Sequence, residues 1–349
     1  MEVLAYPEMV NTFGKERVHL LLGNGFSIGC DDKFGYDKLF RHAKEHGLTP
    51  TALAVFERLG TNNFEGVMKL LEDTSWIVEE YKLLPRASSP NPFDNDLSVV
   101  KSALISAITE THLDNSGKVA DNRKHNCANF LSKYHNIFST NYDLLLYWVE
   151  MSELSRLQAK DGFRASVDDP NEQYVVFSEH VGGDKGIFFI HGALHLYTVK
   201  GEVRKHCWSR TNQSLIAQIA ASLEAGEYPL IVAEGLAEKK IEQISRSGYL
   251  SYCLGKLERI ENRLVVLGLS FGESDRHIAK VVAHNKKLRR ISVGLFGSQD
   301  SPGNLEIQRN VRLMQLERKR LIAENKFPFE LDVDFFDSAS ACVWDIPCS

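Results

Sequence analysis

The sequence predicts an α/β fold in which helices flank an open, mainly parallel sheet. Four apolar runs support this prediction, because each is short enough for a buried strand and stops abruptly at a glycine or a small polar residue. The four runs begin at Val18, Asn136, Gly186 and Arg263. Further strands are expected at Pro229 to Ala233, Ile291 to Phe296 and Phe329 to Phe336.

The first run ends in the turn Gly23-Asn24-Gly25-Phe26-Ser27. Two glycines two positions apart let the backbone bend sharply and let a phosphate approach main-chain N–H groups, and Ser27 adds a hydroxyl. The same pattern also serves the simple packing of a strand against a helix. Ile28 stands where the dinucleotide fingerprint has its third glycine, and no Gly-Lys-Ser/Thr follows, which excludes a P-loop.

Residues 36–133, between the first two runs, are predicted to be a helical insertion. Apolar residues recur every three or four positions from Thr51 to about Tyr81, and the helical pattern resumes from Asp96 to His112. A stretch rich in proline and serine at residues 84–92 separates the two patterns. We therefore expect residues 1–35 and 134–349 to form the sheet domain and residues 36–133 to cover its cleft.

Polar residues follow the second run, at Thr140, Asn141 and Asp143. One of them would suffice to cap the helix that starts there. Three polar groups at the end of a strand indicate more than a cap, because open α/β sheets bind their ligands at the carboxyl ends of strands. The sequence therefore favours a functional role for this turn.

The third run ends at His191-Gly192 and the fourth at Gly268-Leu269-Ser270. Histidine titrates near neutral pH and can act as a general base, although a lone histidine after an apolar run is often a hydrogen-bonded structural residue. The glycine after His191 frees the backbone for a close approach. After the fourth run, Ser274 or Asp275 is expected to cap the next helix.

Composition narrows the class of protein. The 349 residues carry a formal net charge of -5, which argues against nucleic acid as the main partner. No signal peptide is visible and no apolar run reaches ~18 residues, so we expect a cytoplasmic protein with no membrane contact. The six cysteines include no C-x-x-C pair, so neither a structural zinc site nor a disulfide scaffold is expected.

Taken in order, the four turns resemble the motifs of the sirtuin superfamily, and best those of bacterial sirtuin-like proteins that act as NAD-consuming effectors in antiphage defence. Sirtuins carry a Gly-Ala-Gly-x-Ser loop, a Gln-Asn-x-Asp segment, a catalytic His-Gly and a Gly-Thr/Ser-Ser turn in this order. The resemblance covers about residues 23–300. Asn24 replaces the motif alanine, Thr140 replaces the glutamine, and the four zinc cysteines of the deacylases are missing. These departures favour the NAD-hydrolase branch.

The resemblance implies a Rossmann-like domain and an NAD+ glycohydrolase that releases nicotinamide and ADP-ribose, acting as an abortive-infection effector, with NAD as substrate and without a metal. It implies that Asn141 contacts the nicotinamide ribose and places the attacking water, that Asp143 binds the carboxamide, and that His191 is the general base. Gly23, Gly25 and Ser27 would hold the pyrophosphate. The remaining candidate cofactor-binding residues are Asn24, Phe26, Thr140, Gly268 and Ser270, the last pair on the adenosine side.

Two alternatives stay open: a sensor that binds NAD or ADP-ribose without turnover, and a protein deacylase or ADP-ribosyltransferase. The sequence also leaves open a homo-oligomer or a regulatory protein partner. Glu234 and Lys239 follow a predicted strand, where they could contact a ligand, although a charged, solvated helix start is the favoured interpretation.

Overall fold

The structure, a computed structural model, describes residues 3–34, 38–62, 64–83, 91–167, 169–180, 183–232 and 237–345. Within these ranges the strands are β1 (Val3–Ala5), β2 (Val18–Leu22), β3 (Asn136–Ser139), β4 (Phe163–Ala165), β5 (Tyr174–Phe177), β6 (Gly186–Phe189), β7 (Gly192–Val199), β8 (Glu202–His206), β9 (Pro229–Ile231), β10 (Asn262–Leu267), β11 (Leu288–Leu295) and β12 (Asp332–Asp337).

The α-helices of the same ranges are α1 (Tyr6–Asn11), α2 (Asn24–Ile28), α3 (Lys38–His46), α4 (Pro50–Leu59), α5 (Phe64–Glu80), α6 (Pro92–Thr111), α7 (Asp121–Leu131), α8 (Leu145–Ser152), α9 (Leu154–Leu157), α10 (Trp208–Thr211), α11 (Leu215–Glu224), α12 (Ala237–Arg246), α13 (Gly248–Glu258), α14 (Arg276–His284) and α15 (Pro302–Ala323).

The predicted open parallel sheet is confirmed. Seven strands form it in the order β1-β12-β11-β10-β2-β3-β6, and every neighbouring pair is parallel. Strand β2 is buried along its whole length, as expected for a parallel strand covered on both faces. Counted from β2, the strands from β6 to β12 follow the 3-2-1-4-5-6 order of dinucleotide-binding domains, whose direction reverses between β2 and β10.

In the described residues between β2 and β3 the chain forms the helices α2 to α7. The expected helix from Thr51 to Tyr81 is two helices, because Gly60 adopts a left-handed conformation (φ +59°) and ends α4. Helix α6 packs against α3, α4 and α5, and it also touches α11. Most of the proline-rich loop, residues 84–90, lies outside the described residues.

A second sheet was not foreseen. It has five strands in the order β4-β5-β8-β7-β9, all antiparallel, and the predicted strand at 229–233 belongs to it as β9. Strand β7 starts directly after His191, at Gly192, which has φ +73°. A Cβ atom there would lie 1.8 Å from the Leu230 carbonyl oxygen, so this glycine permits a close approach between strands rather than to a ligand.

The two ends of the described chain meet beside the parallel sheet. Strand β1 pairs with β12, which places Val3 opposite Phe335. Trp344 is buried, and its indole Nε1 donates to the Phe26 carbonyl at 2.7 Å. In the described residues, no helix combines the length and the apolar character needed to cross a membrane.

Candidate functional site

The four sequence motifs meet at one edge of the parallel sheet. In the register of the strands, Leu267 lies opposite Leu22, Leu22 opposite Ser139, and Ser139 opposite Phe189. The turns that follow these residues are therefore neighbours in the order β10, β2, β3, β6. This juxtaposition follows from the topology, because parallel strands present their carboxyl ends at the same edge.

The turns after β2 and β10 pack backbone against backbone. A Cβ atom on Gly25 would lie 2.6 Å from Gly268 Cα, and one on Gly23 would lie 2.5 Å from the Gly268 carbonyl oxygen. Gly268 itself has φ +74°, which side chains rarely tolerate. These glycines are required by the contact between the two turns.

The amides of the glycine turn are already used within the protein. Gly23 N donates to Leu267 O at 2.9 Å, and Gly25 N donates to Gly268 O at 3.0 Å. Phe26 is buried, with its ring centroid 4.9 Å from that of Trp344. The pyrophosphate role expected for these amides therefore requires the two turns to separate. Asn24, beside them, is half-buried.

Ser27, Asn141 and Asp143 form a buried hydrogen-bond network between the first two motifs. The Ser27 hydroxyl donates to Asp143 Oδ2 at 2.5 Å and accepts from Asn141 Nδ2 at 2.8 Å. Asn141 Nδ2 also donates to the Gly23 carbonyl at 3.0 Å. Because a carbonyl only accepts, this contact fixes the orientation of the Asn141 amide. Its other atom, Oδ1, is buried without a hydrogen-bond partner.

Both oxygens of Asp143 are engaged by the protein. Oδ1 accepts from Leu145 N at 2.8 Å, as a helix cap does, and Oδ2 accepts from Ser27. Burial raises the pKa of Asp143, while the Ser27 hydrogen bond and the nearby His112 act in the opposite direction. Each oxygen still has a second acceptor position, but Asp143 is buried, so a ligand carboxamide reaches it only if the surrounding turns move. Thr140 is likewise buried, and its hydroxyl donates to Leu22 O at 3.2 Å.

His191 meets a second histidine that lies outside the four sequence motifs. Its Nε2 atom lies 2.8 Å from Nε2 of His277, a residue of α14. Burial, then Lys240 and then His277 hold the pKa of His191 well below its usual value, while a hydrogen bond to the Thr140 backbone acts in the opposite direction. Burial also lowers the pKa of His277 to about 4.

A buried ion pair lies beside the two rings. Lys240 of α12 is 2% exposed, and its Nζ atom donates to Asp275 Oδ1 at 3.0 Å. Asp275 stands at the expected cap position of α14, but its side chain makes no capping hydrogen bond. Sequence alone did not suggest the buried ion pair, since a lysine in a charged stretch usually indicates a solvated helix face.

His191, Asp275 and His277 also lie close enough to ligate a metal, with one ligand atom of each within 4.8 Å of the others. Two features oppose this. The Lys240 ammonium already forms an ion pair with the Asp275 carboxylate. The ring centroids of the histidines are 5.0 Å apart with their Nε2 atoms 2.8 Å apart, so the rings point at each other head-on, whereas two ligands converge on a metal at an angle.

The turn after β10 reaches the protein surface. Ser270 is exposed, and its carbonyl accepts from Asn310 Nδ2 at 3.1 Å. A cavity of about 470 Å³ between α14 and α15 begins at the next residues and includes Arg276 and Arg309 in its lining. Lys239 is exposed and pairs with Glu242, which fits the solvated interpretation, while Glu234 lies outside the described residues.

One protein family matches this chain over most of its length. A family model described as "Domain of unknown function (DUF4917)" matches residues 20–344. No curated protein matches the sequence. The solved structure of Sir2Tm bound to a propionylated peptide aligns with 92% of this chain and 98% of that chain, at 12% identity and a TM-score of 0.34.

Proposed function

The chain belongs to the DUF4917 family, and from the geometry of its site we propose that it is an NAD+ glycohydrolase, which splits NAD+ with water into nicotinamide and ADP-ribose. One observation carries the proposal. The buried Asn141 Oδ1 atom has no hydrogen-bond partner, and an unpaired buried acceptor costs free energy unless a ligand supplies the donor. A ribose hydroxyl or a bound water is such a donor.

The position of Asn141 supports a dinucleotide as that ligand. The residue follows β3 and is hydrogen-bonded to Gly23 after β2, next to the point where the strand order reverses. Dinucleotides bind across this point in sheets of the same order. The adenosine half is proposed to lie at Gly268 and Ser270, where the turn is open and a cavity follows.

The proposed chemistry needs polar groups around one sugar carbon. As the N-glycosidic bond breaks, its electron pair leaves with the nicotinamide and the ribose becomes oxocarbenium-like. Asn141 Oδ1 accepts a hydrogen bond from the attacking water or the ribose hydroxyl and so orients it. His191 provides the base that takes the proton, because a buried histidine with a lowered pKa is neutral at pH 7.

The other candidate residues receive supporting roles in this proposal. Gly23 and Gly25 allow the close packing of the two turns, Ser27 and Asp143 hold Asn141 in place, and Thr140 orients His191 through its backbone. Asn24 remains a proposed contact to the phosphates. Phe26 is proposed to act only by anchoring α2, since its ring is buried against Trp344.

The closed state of the site suggests how such an enzyme is restrained. Asn141 is 6% exposed and His191 1% exposed, and the glycine amides are engaged. We propose a cytoplasmic effector that turns over NAD+ only slowly until a trigger opens the turns, in the abortive-infection setting that the sequence resemblance suggests. The same closure favours a second candidate, a sensor that binds NAD or ADP-ribose without turnover.

Proton NMR of NAD+ with the purified protein tests the proposal. Free nicotinamide should appear over hours with the wild type and should be at least tenfold slower with Asn141→Ala and with His191→Ala. Asn171→Ala, an exposed asparagine in the loop before β5, is the matched control and should behave as the wild type.

Three other outcomes have distinct meanings. Broadened NAD resonances without nicotinamide would select the sensor. Nicotinamide release at the wild-type rate by the Asn141 and His191 variants would exclude these residues as the catalytic pair. Release that requires an acylated peptide would instead indicate a deacylase.

A further inference from the structure

The two buried histidines are hydrogen-bonded to each other. Their Nε2 atoms are 2.8 Å apart, the ring planes differ by 25°, and the centroids are 5.0 Å apart. A single proton must lie between the two nitrogens, since two N–H groups or two lone pairs facing each other would repel. His191 and His277 are therefore joined in their protonation.

Backbone carbonyl groups lie at both outer ends of this pair. The other nitrogen of His191 is hydrogen-bonded to the Thr140 backbone. The Ser274 backbone lies beside His277, whose Nδ1 atom is buried without a well-aligned partner. Three hydrogen-bond positions thus lie in a line: between Thr140 and His191, between the two histidines, and between His277 and Ser274. Each of these three places can hold one proton. Two neutral histidines carry only two protons, so one of the three places is empty and one further proton completes the line.

Burial, more than the charged groups around the pair, keeps the two histidines neutral at rest. His191 faces Lys240, and His277 faces Asp275, Lys240 and Glu238. Because Lys240 and Asp275 form a buried ion pair, their charges largely cancel at the rings. Removing one of the two partners would leave a single buried charge beside the histidines.

We infer that His191 and His277 act as one proton-accepting unit, in which His277 is a positioning residue that shares the proton His191 receives, and the Lys240–Asp275 pair sets the charge state of the unit. The inference rests on the proposed function for its substrate. A lone pair of the attacking water oxygen forms the bond to the ribose carbon as the C–N bond to nicotinamide breaks. The O–H bonding electrons stay on that oxygen, and the proton fills the empty place of the histidine pair before its release to solvent.

A spectroscopic test needs no substrate. In protein labelled with ¹⁵N-histidine, a through-hydrogen-bond coupling between the two Nε2 nuclei should be present in the wild type and in Asn141→Ala. It should vanish in His277→Gln. The control His284→Gln, on the same helix but paired with Glu317, should retain it. A wild-type spectrum without the coupling would overturn the shared proton.

A kinetic test addresses the catalytic part. His277→Gln should lower kcat for nicotinamide release at least tenfold while KM for NAD+ changes less than threefold. Lys240→Met removes the cation that lowers both histidine pKa values, so the acid limb of the pH–rate profile should move toward neutral pH. The double variant Lys240→Met with Asp275→Asn leaves no unpaired charge, so it should keep the fold. Its acid limb should lie between those of the wild type and Lys240→Met.

The two tests separate the inference from the proposed function. Turnover by His277→Gln at the wild-type rate and with an unchanged pH profile would overturn the inference and leave the hydrolase standing. The coupling without turnover by any variant would support the shared proton and refute the hydrolase.

Discussion

The Ser27 hydroxyl and the Asp143 carboxylate are 2.5 Å apart, although 116 residues separate them in the chain. This contact joins the turn after β2 to the turn after β3. It also fixes the hydroxyl that accepts from Asn141 Nδ2. The hydrogen bond between Ser27 and Asp143 therefore helps to position Asn141, the residue proposed to orient the substrate.

Ser27→Ala should weaken both the fold and the site. The change removes the donor to Asp143 and the acceptor for Asn141 in a buried place, so we expect the free energy of unfolding to fall by ~1–3 kcal/mol. NAD+ turnover should fall with it, because the Asn141 amide loses a contact. Urea unfolding and nicotinamide release measure the two effects. Equal behaviour of Ser27→Ala and the exposed control Ser245→Ala would contradict the network.

Gly25→Ala should destabilise the protein because the new Cβ would lie 2.6 Å from Gly268 Cα. Overpacking of this kind costs about 1–3 kcal/mol. Gly303→Ala in α15 is the control, since its Cβ would meet nothing within 4 Å. There alanine should be neutral or stabilise by up to ~1 kcal/mol. Thermal unfolding of the two variants should therefore change in opposite directions or differ clearly in size.

Trp344→Ala should destabilise the protein, because Trp344 packs on α2. The side chain is 3% exposed, donates to the Phe26 carbonyl and packs on the Phe26 ring. Losing a buried aromatic side chain costs about 3–5 kcal/mol. Trp208→Ala removes a tryptophan that is 60% exposed and should change stability by less than ~0.5 kcal/mol. Similar unfolding midpoints for both variants would argue against this anchor.

Glu150→Gln should alter the pH dependence of stability. Burial, then the nearby Asp161, raises the pKa of Glu150 from 4.5 to about 8, while Lys205 acts in the opposite direction. The folded state therefore favours the protonated acid. Its stabilising contribution is complete below pH 4.5 and is lost progressively as pH rises toward 8.

The measurement is urea unfolding of the wild type and Glu150→Gln at several values between pH 5 and pH 8. The variant should lose less stability than the wild type as pH rises, because glutamine does not ionise. Glu224→Gln, an exposed carboxyl in α11, should follow the wild type. Parallel curves for wild type and Glu150→Gln would show that Glu150 does not titrate in this range.

Sequence predicted the parallel sheet because its strands are buried on both faces and read as mainly apolar runs, as in β2 and β10. It could not predict the antiparallel sheet, in which β4 is three residues long and β8 reads Glu-Val-Arg-Lys-His. Short strands with charged faces lack a pattern that distinguishes them from loops.

For the candidate site, sequence identified the residues at strand ends and missed those contributed by helices. Strand ends identified Asn141 and His191, since topology gathers them at one edge. Lys240 and His277 were missed because each becomes buried only through a partner from another element. The engagement of the Gly25 amide by Gly268 is equally a property of the assembled turns.

Trp344 covers Phe26 from 318 positions further along the chain. Ribosomes make proteins from the first residue onward, so the turn after β2 emerges long before the side chain that closes it. The same delay applies to β1, whose partner β12 is also made late. On the proposed function, a half-made chain cannot assemble a complete site. Consumption of NAD+ by this protein should therefore begin only after residue 344 has left the ribosome.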